Sequence, residues 1–132
     1  MKQFSVRTQE RCQFLDINPY VQRAVEESGV TNGVCHVFVP HTTAGLTINE
    51  NADPDVVRDL KLILDRTVPW EGGYAHSEGN SAAHAKASMM GFSQTVFIKD
   101  GRLAFGTWQR LYFCEFDGPR TRTVWVQIIA AN

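Results

Sequence analysis

A chain of 132 residues, with 43% hydrophobic and 20% charged positions and a formal net charge of −1, has the size and make-up of one globular domain that can form a core without disulfides or a structural metal. Its near-zero charge, free of long like-sign runs, supplies no field for nucleic acid, and no apolar stretch is long enough for a signal-peptide core or a membrane span. The expectation is a single cytoplasmic domain over residues 1–132, with neither nucleic acid nor membrane as a partner.

Residues 2–8 and 11–17 read as two short strands. Asn18-Pro19 supplies a helix cap followed by proline at the first helical position, and Val21, Ala24 and Val25 keep helical spacing up to Ser28, where Gly29 ends the helix. Val34 to Val39 is a near-continuous apolar run, read as a strand buried on both faces with His36 a satisfied core histidine. Beyond Pro40, the segment from His41 to Asn49 reads as a strand. His41, Thr43, Thr47 and Asn49 project from one face with Gly45 leaving open space among them, while Ala44, Leu46 and Ile48 project toward a core. Short hydrogen-bonding side chains on that face, where a solvated strand carries Lys, Glu or Arg, point to a small polar ligand pocket.

Asp53-Pro54 begins the main amphipathic helix, whose stripe of Val56, Val57, Leu60, Ile63, Leu64 and Val68 runs to about Thr67. Residues 69–79 hold three glycines and no periodicity, which predicts a loop of the kind that carries function. Asn80 or Ser81 caps a short alanine-rich helix that Gly91 closes after Met90. Strands follow near 94–99, 102–105, 108–116 and 121–130, with Asp100-Gly101 in a tight hairpin turn. The class is α+β: mostly antiparallel sheets in a sandwich-like arrangement, with two to three helices and no doubly wound parallel sheet. Cys12, Cys35 and Cys114 are odd in number and widely spaced, so reduced thiols are expected in place of a disulfide framework or a CxxC metal site.

His84 stands on the short helix with Ser81 and Ser88 on the same face, and His76 lies in the preceding loop with Glu78 two residues on. His41, His76 and His84 can converge, with a carboxylate from Glu50, Asp53 or Glu78 nearby. Three imidazoles around an open position suit a catalytic divalent ion such as zinc. The same histidines equally suit substrate orientation or proton transfer near neutral pH. Arg120 and Arg122, with Ser81 at the positive end of the helix, are candidates for phosphate. Lys86 is a further candidate, although it sits about 200° round an ideal helix from His84. The arginines read equally well as partners of Asp117 or Glu115, and Glu115, set beside Phe113 and Phe116, needs solvent, an arginine or a metal. Trp108 offers a stacking surface or a core or subunit contact.

The run from Pro40 through Asp55, the stretch from Tyr74 through His76, Glu78 and His84 to Lys86, the tetrapeptide Gly106 to Gln109 and the turn from Glu115 to Arg120 together resemble the YjbQ-like family over nearly the whole chain. The resemblance implies a small α+β homotrimer with a secondary thiamine-phosphate synthase activity, joining hydroxymethylpyrimidine diphosphate to thiazole phosphate with release of diphosphate. On that reading His41, His76 and His84, with Glu50, hold or replace a divalent ion, zinc or magnesium, and His41, His84 and Glu50 are catalytic. Thr43, Thr47, Asn49, Ser81, Lys86, Arg120 and Arg122 bind the phosphorylated substrate, and Trp108 or Tyr74 stacks on the pyrimidine. The alternatives are a metal-dependent hydrolase of a small phosphorylated substrate and a trimeric binding protein for a phosphorylated metabolite.

Overall fold

The computed structural model describes residues 1–131. Its longest strand, β8 (Thr121–Ala130), lies between β1 (Lys2–Arg7) and β3 (Gly33–Phe38), and β3 pairs in turn with β5 (Ser93–Lys99), which carries the two-residue β6 (Arg102–Leu103) at the sheet edge. The second sheet places β7 (Gln109–Glu115) between β2 (Gln13–Asp16) and β4 (Ala44–Glu50). Every pairing is antiparallel. Among the described residues three helices complete the order: α1 (Asn18–Ser28), α2 (Pro54–Thr67) and α3 (Ser81–Met90). None is long and apolar enough to cross a membrane.

Alternation places the core. Cys35, Val37, Val124, Val126 and Ile98 project from the inner face of the five-stranded sheet onto Leu46, Leu111 and Phe113 of the three-stranded sheet, and Ile17, Val21 and Val25 at α1 close this space. The opposite face of the three-stranded sheet, with Tyr112 and Cys114, is covered by Leu64 of α2 and by Ala83 and Ala87 of α3. The result is the sandwich-like α+β arrangement expected, with the small sheet buried on both sides.

Several local expectations are corrected. Val34 to Val39 is buried on one face only: His36 is exposed, its Nδ1 2.9 Å from Thr95 Oγ1, so it is not a core histidine. Alternation prevailed over the apolar run because nothing among the described residues covers the outer face of that sheet. There Phe38, Phe97 and Ile129 are exposed and Phe38 stacks on Trp125 at 5.5 Å. Asn18 does not cap α1. Its N–H donates to Asp16 Oδ1 (2.9 Å), and its own Oδ1 accepts from the Leu111 N–H (2.8 Å), tying the helix to β7. Asp53 does cap α2, accepting from the Asp55 N–H at 2.9 Å.

The space at Gly45 is filled by protein. A Cβ there would meet Gly91 O at 2.6 Å and Met90 Cβ at 3.1 Å, so this glycine lets the end of α3 lie directly on β4. The Gly91 carbonyl accepts from the Leu46 N–H at 3.0 Å. Cys35 and Cys114 are buried free thiols and Cys12 is half-buried. Burial pushes the Cys35 thiol up to about 11 and raises the other two, which leaves little thiolate for nucleophilic chemistry.

Candidate functional site

β3 ends at Phe38, and residues 40–43 bend outside both sheets before β4 begins at Ala44. The bend lies beside the start of β8, the N-terminus of α3 and the turn after β7. Together these elements enclose a hollow of about 470 Å³ lined by His41, Thr43, His76, His84, Arg120 and Arg122, with Glu78, Asn80 and Asp117 among the other walls.

The floor is built from buried charges. Glu115 is fully buried, and its Oε1 accepts from Thr8 Oγ1 (2.8 Å) and Arg122 Nε (2.9 Å). Its Oε2 accepts from Arg122 Nη2 and from the Asp117 N–H (3.1 Å). Arg122, 4% exposed, also donates from Nη2 to Thr43 Oγ1 at 2.8 Å. A buried ion pair of this kind is held by the completeness of its hydrogen bonds. Gly118 is required beside it, because a Cβ there would lie 2.2 Å from Glu10 O and 2.8 Å from Glu115 Cγ. Of the solvent, arginine or metal that its apolar neighbours left open to it, Glu115 thus takes an arginine, and Arg122 has Nε and Nη2 engaged within the protein.

The rim is looser. The His76 and His84 rings meet edge to face with centroids 5.5 Å apart, and Glu78 Oε1 is 4.0 Å from His76 Nε2. Arg120 is half-exposed and lines the hollow, donating from Nε to Asp117 O (2.8 Å) and from Nη2 to Asp117 Oδ2 (2.9 Å), with no protein partner among the described residues for Nη1.

His41 is held differently from the other two. Its Nε2 accepts a hydrogen bond from the Thr123 N–H at 2.9 Å. The neutral ring then carries its proton on Nδ1, which becomes a donor. Burial, and after it the Arg122 guanidinium, lowers its pKa against the pull of Glu115, which favours this neutral form near pH 7. A ring with one lone pair engaged and the other nitrogen protonated does not fit the third corner of a three-histidine metal centre. Among the described residues, no three His, Cys, Asp or Glu side chains are gathered closely enough to hold an ion.

Of the residues singled out in the sequence, the fold brings together His41, Thr43, His76, His84, Arg120 and Arg122. Thr47, Asn49 and Glu50 run away along β4, with Glu50 opposite Gln109 at the other end of the ladder, about 20 Å from Ala44 at the usual strand rise. Trp108 is 63% exposed and lies beyond that far end. Ser81 opens α3 without lining the hollow, and Lys86 is buried on the opposite side of the helix, its Nζ donating to Asp65 Oδ1 of α2 at 2.5 Å.

Asn80 is the wall residue whose site role the sequence did not reveal, because it reads as a helix cap. Its side chain caps nothing: Nδ2 donates to Asp117 Oδ2 at 2.9 Å and lies 3.5 Å from Glu78 Oε2. Its Oδ1 is buried with no partner among the described residues.

Fold and hollow define a small α+β protein with a histidine-lined polar pocket where two antiparallel sheets meet. Residues 2–131 match the family described as UPF0047 protein YjbQ-like, and the chain belongs to that family. It is 48% identical over 130 residues to the UPF0047 protein YugU of Bacillus subtilis, covering 98% of each chain. It is also 49% identical over 126 residues to a UPF0047 protein of Methanocaldococcus jannaschii, covering 96% of this chain and 91% of the relative. A crystal structure from Clostridium acetobutylicum, described as an uncharacterized conserved protein of the YjbQ/UPF0047 family, superposes with a TM-score of 0.96 at 56% identity, covering 98% of this chain and all of the other.

Proposed function

We propose that this chain is a cytoplasmic enzyme acting on a small phosphorylated substrate at the histidine-lined hollow, with thiamine-phosphate synthesis as a secondary activity. The observation that carries the reading is the edge-to-face pair of His76 and His84, which opens onto the same hollow as the half-exposed Arg120 and the Nδ1–H of His41. In the synthase reaction the pyrimidine methylene carbon forms a bond to the thiazole nitrogen as its bond to the diphosphate oxygen breaks. The charge that develops on the departing diphosphate calls for fixed donors and a proton. His41 Nδ1–H and Arg120 supply donors, and His84 or His76, when protonated, supplies the proton.

A second reading, a metal-dependent hydrolase of a phosphate ester, rests on the closeness of the His76 and His84 rings. Two imidazoles there would be ligands for a zinc ion, and Glu78 beside them an oxygen ligand for zinc or magnesium, and such an ion would polarise a phosphoryl oxygen. Turnover of hydroxymethylpyrimidine diphosphate with thiazole phosphate, assayed beside elemental analysis of untagged protein, tests both. Loss of about a hundredfold or more in the His84→Ala variant supports the enzyme. Undiminished turnover in that variant removes the catalytic role, and ligand affinity without turnover in the native protein leaves a binding protein for a phosphorylated metabolite. Near-stoichiometric metal that disappears in the variant favours the hydrolase.

The assembly proposed is a homotrimer that uses the outer face of the five-stranded sheet. Phe38, Phe97, Trp125 and Ile129 lie there beside His36, Thr95 and Gln127, an apolar patch poor in charge of the sort found at subunit contacts. Light scattering is expected to give three times the mass of the chain, and Phe97→Glu is expected to lower it. A monomeric native protein would overturn the assembly.

A further inference from the structure

The loop between α2 and α3 encloses a second hollow of about 390 Å³, lined by Trp70, Glu71, Tyr74, Glu78 and the backbone of three glycines. Two aromatic rings and two carboxylates line it, with no basic side chain. Glu78 lines both this hollow and the histidine-lined one, so a single ligand can extend from one into the other. The loop is braced for the purpose: Tyr74 Oη donates to Pro69 O at 2.6 Å, and its ring lies so close over Gly72 that a Cβ there would stand 2.7 Å from it.

The chemistry of the walls asks for a donor. Trp70 already holds one planar cation, the Arg11 guanidinium, 4.4 Å from its ring centroid, and Arg11 is not itself part of the lining. Ring faces attract cations, and carboxylates in a shallow recess strengthen that preference. Where the two hollows meet at Glu78, the Asn80 side chain, 6% exposed and part of the histidine-lined wall, points its amide nitrogen at carboxylates and leaves Oδ1 without a donor among the described residues. A buried carbonyl in that state is costly, so the junction of the two hollows, with Glu78 and Asn80, carries a surplus of acceptors, while Arg120 and His41 elsewhere in the histidine-lined hollow carry donors.

We propose that the loop hollow is a subsite for a flat cationic or amine-bearing group, stacked on Trp70 and Tyr74 and hydrogen-bonded by Glu71 and Glu78. It rests on the histidine-lined hollow being a ligand site, and it gives that ligand two unlike ends, anionic toward Arg120 and donor-bearing toward the loop.

Three probes of one shape test this: benzamidine as a planar cation, benzoate as a planar anion and benzyl alcohol as a neutral control. Binding is followed by the Trp70 indole resonance of ¹⁵N-labelled protein, identified from Trp70→Phe. Benzamidine is expected to shift that resonance saturably, with affinity falling about tenfold in the Glu71→Gln/Glu78→Gln variant, each removed charge giving several-fold, while benzoate leaves it in place. Equal responses to benzamidine and benzoate, no saturable shift, or unchanged benzamidine affinity in the folded double variant would each overturn the subsite. Benzamidine binding is expected to survive His84→Ala, so failure of the reaction and failure of the subsite are read separately.

Discussion

The floor and the rim of the histidine-lined hollow use the same kinds of residue in opposite ways. In the floor, Glu115 and Arg122 are almost completely buried, and each oxygen of the carboxylate accepts two hydrogen bonds. In the rim, His76, Glu78 and Arg120 are exposed, and Asn80 Oδ1 goes unpartnered among the described residues. A fully satisfied buried network resists change because removing one member strands the others, whereas groups with unused hydrogen-bonding capacity can exchange water for a ligand. The floor therefore holds the bend of residues 40–43, the turn after β7 and β8 in one geometry, and the rim is free to bind.

The largest effect should come from breaking the floor. Glu115→Ala leaves Arg122 buried without its partner and is expected to cost about 3–5 kcal/mol in urea unfolding. A loss below about 1 kcal/mol would show the pair to be no more than a surface contact. Next comes the packing that seats α3 against β4. Gly45→Val drives a side chain into the Gly91 carbonyl and Met90 and should cost about 1–3 kcal/mol, and a variant as stable as the native chain would mean that α3 is not seated there.

A smaller effect separates His41 from its rim neighbours. Its pKa is lowered, so the unfolded chain takes up a proton at this ring before the folded chain does, and stability falls as pH drops through about 6.5. Protonation would also remove the acceptor that Nε2 offers the Thr123 N–H. The urea midpoint is expected to decline between about pH 7.5 and about pH 5.5, and to decline less in His41→Asn. Parallel profiles for the two proteins would remove His41 as the cause. The smallest change belongs to the rim itself: Glu78→Gln should alter stability by no more than about 0.5 kcal/mol, and a larger loss would erase the distinction between floor and rim.

Much of this was legible in the sequence because it depends on neighbours in the chain. Helix ends at Gly29, Asp53 and Gly91, the Asp100-Gly101 turn and the strands β7 and β8 follow from backbone preferences and side-chain period, which act over a few residues. That Glu115 needs solvent, an arginine or a metal followed from the cost of burying a lone charge among phenylalanines, and the fold supplied the arginine. His41, Thr43, His76, His84, Arg120 and Arg122 were also recognised as site candidates.

Only the tertiary structure decided which candidates meet. Period alone places Thr43, Thr47 and Asn49 on one face, but a strand's face is long, and one end of β4 reaches the hollow while the other lies at the far end of the sheet. Gly45 admits either a ligand or a helix, and α3 took the space. His36 is exposed because no element among the described residues covers that face of β3, and Asn80 became part of the wall because the turn carrying Asp117 folds against the N-terminus of α3. Each of these outcomes depends on contacts between residues distant in sequence, which neither propensity nor periodicity encodes.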